Sequence, residues 1–135
     1  MAALTQDRQT AHRASREFAF PVEAATKIYG GALVCINSSG RATKGAVSTT
    51  LKCVGVADAL ADNSAGAAGA ISVKTKRGTF KFGNSASTDQ VTLADVGASA
   101  YIVDDQTVAK TNGSSTRSVA GTIRDVESDG VWIEI

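Results

Sequence analysis

Hydrophobic and polar positions alternate along most of this chain with the period of a β-strand. They do so most legibly over residues 120–135, AGTIRDVESDGVWIEI. Two runs of branched and aromatic residues there flank Ser128, Asp129 and Gly130, a turn cluster whose glycine can take the left-handed conformation that other residues resist. The pattern predicts a β-hairpin, and its side chains choose a register. A two-residue turn sets Asp125 opposite Glu134. A three-residue loop ending in Gly130 instead pairs Ile123 with Ile135, Arg124 with Glu134 and Val126 with Trp132. Like charges facing each other destabilise, whereas opposite charges and aromatic/β-branched pairs each contribute about 0.2–1 kcal/mol, so the three-residue loop is expected. The closing Ile133-Glu134-Ile135 should be a strand laid into the core or against a neighbouring subunit.

Short strands are expected from Phe20-Pro21-Val22 onward. Residues 32–36 and 41–44 flank Asn37-Ser38-Ser39-Gly40, a hairpin loop with its own glycine. Residues 51–58, LKCVGVAD, echo RSVAGTIRD near the far end, which points to two similar strands and not to a duplicated domain. Residues 60–70, LADNSAGAAGA, are alanine-rich but interrupted by Asn63, Ser64, Gly66 and Gly69, and are expected to be a mobile loop. Residues 71–82, ISVKTKRGTFKF, alternate cleanly and form either a hairpin turning at Arg77-Gly78 or one long strand bent at the glycine. Threonine, then an acid three residues on, then glycine over residues 92–97 describe a single capped helical turn. A strand over 98–103, a turn at Asp104-Asp105-Gln106, another strand through Lys110 and a loop over 112–115 lead into the final hairpin.

Residues 1–20 differ from the rest. They hold no sustained period of two, and a helix over 7–18 would bury only the thin stripe Ala11, Ala14 and Phe18. The expected division is therefore an extended N-terminal arm over 1–20 and one all-β domain over 21–135. In isolation the arm is a disordered tail, or it is a segment that orders on a partner surface. It concentrates Arg8, His12, Arg13 and Arg16 against Asp7 and Glu17. A second basic group, Lys74, Lys76, Arg77 and Lys81, falls on the alternating stretch. The plain reading is a solvated face that guards a sheet edge; the sharper one is a contact for an acidic partner.

Composition narrows the class. Thirteen glycines among runs of Val, Ile, Thr, Ser and Ala favour an all-β fold, a small β-sandwich or β-barrel of short antiparallel strands with one short helical turn. A net charge of +1 supplies no global field toward nucleic acid or an anionic membrane, so charge-driven binding must be local. The opening MAALTQDRQ has no apolar signal region, and no run approaches the roughly 18 apolar residues of a membrane span. Expression in the cytoplasm, or exit from it without a signal peptide, is the expectation. Cys35 and Cys53 lie in apolar strand-like runs outside any CxxC spacing and are expected to be two reduced, buried thiols.

Chemistry is sparse. His12 is the only histidine and sits in the arm, so no Ser-His-Asp or Cys-His set assembles without that arm folding over the domain. No transition-metal set, P-loop or dinucleotide fingerprint is present, and Asp104-Asp105 and Asp58 with Asp62 read as turn formers. No catalytic residue, cofactor or metal is expected. The aromatics are too scattered to form stacking platforms for single-stranded nucleic acid.

VTLADVGASAYIVDDQTVAKT (residues 91–111), followed by TRSVAGTIRDVESDGVWIEI, resembles the C-terminal half of the capsid decoration, or cement, proteins of tailed phages and prophages. CVGVADALADNSAGAAGAISVKTKRGTFKF resembles their middle portion: a glycine-centred strand, a small-residue loop and a basic strand ending in an aromatic. The likeness runs over residues 30–135 and rests on the order of these pieces. It implies a structural virion protein on the outer capsid surface, a homotrimer that bridges neighbouring capsomers of the major capsid protein. Arg8, Arg13 and Arg16, with Lys74, Lys76 and Lys81, are then the candidate capsid contacts. The alternative is a small β-barrel binding module for glycan or nucleic acid, used in host attachment or packaging, which the shortage of aromatics disfavours.

Overall fold

A computed structural model describes residue 3, residues 5–9 and residues 16–135. The first strands are β1 (Glu17–Pro21), β2 (Thr26–Ile28), β3 (Leu33–Ile36), β4 (Ala42–Lys44), β5 (Lys52–Ala57) and β6 (Ala61–Asn63). They are followed by β7 (Ser72–Lys76), β8 (Thr79–Asn84), β9 (Ser99–Ile102), β10 (Thr107–Ala109), β11 (Val119–Glu127) and β12 (Gly130–Glu134). A five-stranded sheet in the order β1-β7-β5-β3-β4 lies beside a small closed barrel, β10-β8-β12-β11-β9, and beside the ribbon β2-β6. The fold is all-β, and all ladders between these strands are antiparallel except β10–β8, which is parallel.

Alternation on β3 explains the layering. Leu33 and Cys35 point into one core with Phe82, Ile102, Ile123 and Ile133 of the barrel. Val34 points into the other, with Val22, Ile28, Ala57 and Val73, beneath the ribbon. Both faces of the sheet are thus covered, as the apolar run LVCI requires. The stretch over 71–82 is not a hairpin: β7 pairs with β1 and β5, whereas β8 pairs with β12 and β10. The chain bends at Gly78 and crosses from the sheet into the barrel.

The final hairpin forms, but with another register. Glu127 faces Gly130 across a two-residue turn, Val126 faces Val131, Asp125 faces Trp132, and Ile123 faces Ile133 after an irregularity at Arg124. An unbroken ladder with Ala120 inward would also turn Thr122 and Arg124 inward. Bulges at Ala120 and Arg124 reset the phase, so that Ala120, Ile123 and Val126 all reach the barrel core. Arg124 still meets Glu134, through its side chain, Nε to Oε2 at 2.6 Å. Gly130 takes no left-handed conformation; it is needed for space, because a Cβ there would lie 2.7 Å from Lys81 Cγ and 2.8 Å from the Phe82 carbonyl oxygen. β12 is paired on both sides, with β8 and β11, so the C-terminal strand lies in its own domain's core.

The echo between LKCVGVAD and RSVAGTIRD has a structural counterpart. In β5 the residue before the glycine, Val54, is bulged against β3; in β11 Ala120 is bulged against β9. On the opposite side each glycine lies against a carbonyl of the next strand. A Cβ would stand 2.4 Å from Lys76 O at Gly55 and 2.3 Å from Glu134 O at Gly121.

Three further expectations change. The strand β1 takes residues 17–20 from the expected arm, pairing from Glu17 opposite Lys76 to Pro21 opposite Ser72. EFAFP is too short to show a sustained period, yet Phe18 and Phe20 stack at 6.5 Å and Phe20 packs on the second core. Residues 60–70 are not loop throughout, since β6 pairs with β2 and Asn63 is buried. Asn63 Nδ2 donates to the carbonyls of Glu23 and Ala67, both at 2.9 Å. Gly66, which suggested looseness, closes over this amide: a Cβ there would be 1.9 Å from Asn63 Oδ1. The capped turn at Leu93–Asp95 forms, with the Asp95 carboxylate accepting the Thr92 N–H at 2.8 Å, but a second 3₁₀ turn at Ser87–Asp89 accompanies it.

Candidate functional site

The two basic groups meet at one place. The Arg77 N–H donates to the Arg16 carbonyl at 3.1 Å, extending the β1–β7 ladder by one step and setting these two arginines side by side. Across the bend, the Ile135 N–H donates to the Gly78 carbonyl at 2.9 Å and ties the end of β12 to the crossing between sheet and barrel. The resulting open cleft, roughly 320 Å³, is lined by Arg16, Arg77, Gly78, Thr122, Arg124, Glu134 and Ile135. Arg124 is the residue that the second bulge of β11 releases from the ladder.

Charge in the cleft is unbalanced. Among the described residues Glu134 is its one acidic side chain, and it pairs with Arg124. Among the described residues neither Arg16 nor Arg77 has an ion-pair partner, and both are exposed. Planar guanidinium groups at the rim of an open groove suit carboxylates, which they bind in a bidentate fork.

The candidate lysines are distributed differently. Lys74 and Lys76 lie on β7 and Lys81 on β8, so the bend at Gly78 separates them into two sheets. Lys76 Nζ is 3.3 Å from Asp58. Lys81 Nζ reaches Asp129 at 2.9 Å and Glu127 at 3.3 Å, and lies 5.8 Å from the centre of the Trp132 ring. The hydrogen bond to Asp129, and then that to Glu127, raise the Lys81 pKa above its ordinary value. These two lysines are therefore committed within the fold, whereas Lys74 is exposed and has no ion-pair partner among the described residues. Arg8 is exposed; Arg13 and His12 lie outside the described residues.

Sequence reasoning named Arg16 but left Arg77 within the lysine group and assigned Arg124 to the hairpin. The bend expected at Gly78 is the crossing from sheet to barrel, and it is there that the three come together. Asp104 serves its turn, accepting the Gln106 N–H at 2.9 Å, and no three His, Cys, Asp or Glu side chains among the described residues are grouped to hold a metal ion. Among those residues no helix is long and apolar enough to cross a membrane. Comparison with protein-family models, with curated proteins and with solved structures finds no match to this chain.

Proposed function

We propose that this chain is a structural virion protein that decorates a tailed-phage capsid and binds acidic surface of the major capsid protein through the Arg16–Arg77–Arg124 cleft. The observation that carries the assignment of the contact is the meeting of the arm's last arginine with two arginines of the β-domain in one open groove. The resemblance over residues 30–135 supplies the class of partner. An overall charge of only +1 means that attraction to that partner is local to the cleft.

The mechanism is cementing. A protein with affinity for the assembled lattice and little for free subunits stabilises the shell by mass action. A homotrimer holding three such clefts engages several capsid subunits at once, and its second and third contacts form at high effective concentration. Self-association on β12 is not part of this reading, because that strand is already paired on both edges. Arg124 is already paired with Glu134, so the gain comes mainly from Arg16 and Arg77; two exposed ion pairs are worth about 0.4–2 kcal/mol in all, or roughly 2- to 30-fold in affinity for each protomer.

Co-sedimentation with undecorated shells of the cognate phage tests the proposal. The triple substitution Arg16→Ala, Arg77→Ala, Arg124→Ala should keep the thermal midpoint within a few degrees and lose most binding. The salt sensitivity of wild-type binding should fall with it. Undiminished binding by the triple variant would remove the cleft from the interface, and failure of wild type to bind any shell would remove the capsid reading.

The barrel gives the alternative, a glycan- or nucleic-acid-binding module, one supporting feature. Its interior is filled by Phe82, Val91, Ile102, Ile123, Val131 and Ile133, so a ligand would sit outside, where Lys81 covers Trp132. That pair is satisfied internally by Asp129 and Glu127, which weighs against it.

A further inference from the structure

Cys35 and Cys53 face each other in the β3–β5 ladder, and both are free thiols. Facing residues of an antiparallel pair have Cα atoms about 4.5 or 5.5 Å apart, and either spacing falls within the range that disulfides span. Both side chains point to the barrel side of the sheet, beside Leu33 and Val56, and each thiol shifts the other's titration. The bulge at Val54 follows immediately, so the pair sits where the ladder is already irregular. Cys35 is fully buried, while Cys53 is only partly so, which makes Cys53 the thiol a small reagent would reach first.

The surroundings divide the labour between the two. The Cys35 thiol, the Gly55 backbone N–H and the nearby Arg77 guanidinium hold the Cys53 thiol below its ordinary pKa. The Cys53 thiol, burial and the adjacent charge push Cys35 up, so it keeps its proton until a bond to sulfur is about to form. One thiol is set up to attack and the other to resolve.

We propose that Cys35 and Cys53 form a redox site, a dithiol that hydrogen peroxide closes into a disulfide tying β3 to β5. The Cys53 thiolate attacks one peroxide oxygen; the O–O bond breaks, hydroxide leaves and takes up a proton as water, and Cys53 becomes a sulfenic acid. Cys35 then loses its proton and attacks that sulfur, the S–O bond breaks, and the departing hydroxide is protonated to a second water. Two thiols and one peroxide give one disulfide and two waters. The site is independent of the capsid assignment.

The test uses the wild-type chain, treated with a small excess of hydrogen peroxide and weighed intact under denaturing, non-reducing conditions. The expected product is a monomer lighter by two hydrogen atoms, with both titratable thiols lost together. Closure of a loop of this length should raise the thermal midpoint by roughly 10 °C, reversibly on adding dithiothreitol. The Cys35→Ser variant should stop at a sulfenic acid that dimedone traps, and Cys53→Ser should stay unmodified at the same dose. Oxygen atoms added separately to the two cysteines, disulfide-linked dimers, or two thiols surviving peroxide would each overturn the proposal. The wild-type mass decides even if neither serine variant folds.

Discussion

Gly121→Ala is the sharpest perturbation of the fold, because it asks for space without asking for an unusual conformation. A Cβ at this position would stand 2.3 Å from the Glu134 carbonyl oxygen and 2.8 Å from Ile133 Cγ2. Carbon–oxygen contacts across strands are ordinarily about 3.3 Å or more, so β11 and β12 must part by roughly 1 Å. They cannot part freely. β12 is held on its other edge by β8, from Val131 opposite Phe82 to Glu134 opposite Thr79, and Ile133 is buried in the barrel. Overpacking of this kind costs about 1–3 kcal/mol, and a weakened Thr122–Glu134 pairing adds about 1 kcal/mol. The expected loss is about 2–4 kcal/mol, or roughly 10 °C in thermal midpoint for a chain of this size. Gly55→Ala should cost more, since it adds a left-handed φ of +138° to a 2.4 Å approach to Lys76 O.

The assay is urea unfolding followed by the fluorescence of Trp132, the only tryptophan. Gly30→Ala is the control: its Cβ would meet nothing closer than 3.4 Å, and its φ is ordinary. It should change stability by less than about 0.5 kcal/mol. If Gly121→Ala unfolds within that margin of Gly30→Ala, then β12 yields freely at this crossing and the close-approach account of the glycine is wrong.

Two further outcomes follow from the side chains. Glu23, Asp62, Asp89, Asp95 and Asp129 are all held below their ordinary pKa, Asp95 chiefly by the Thr92 N–H and Asp89 chiefly by the Thr111 hydroxyl. The unfolded chain then takes up protons first, so stability is full above about pH 5 and falls as pH drops through about 4 and below; a urea midpoint unchanged from pH 7 to pH 3 would contradict this. Asn63→Ala should cost about 2–3 kcal/mol by removing two hydrogen bonds from a buried amide, and should speed exchange of the Gly66 N–H; a loss under about 0.5 kcal/mol would return residues 60–70 to the status of a loose loop.

Local patterns were legible wherever the local chain decides the structure. Asn37 accepts the N–H groups of Ser39 and Arg41, so the β3–β4 turn is written in four adjacent residues. The turn at Leu93–Asp95 is likewise closed by Thr92 and Asp95 alone. The hairpin register was not legible, because pairing preferences near 0.2–1 kcal/mol are outweighed by burying Ile123 and Val126 together, and only bulges achieve that. Asn63 was misjudged for a related reason. Its role depends on Glu23, forty positions earlier, and a run of alanine and glycine does not reveal that a buried amide is to be enclosed.

The candidate site was hidden by the same long-range dependence. A cation in a sequence counts as available only once its cross-strand neighbours are known. Lys76 and Lys81 looked like the free charges, yet Asp58, Asp129 and Glu127 lie within reach of them. Arg16 and Arg77 looked like members of two separate groups, yet the β1–β7 pairing sets them side by side. The irregularity that upset the register completes the set: by leaving the ladder at Arg124, β11 keeps Ile123 in the core and turns the guanidinium toward the cleft, where Glu134 steadies it. A regular β11 would have placed Arg124 in a ladder position and Thr122 in the barrel. The bulge therefore serves packing and surface charge at once, because the barrel takes the isoleucine only if the arginine is pushed outward.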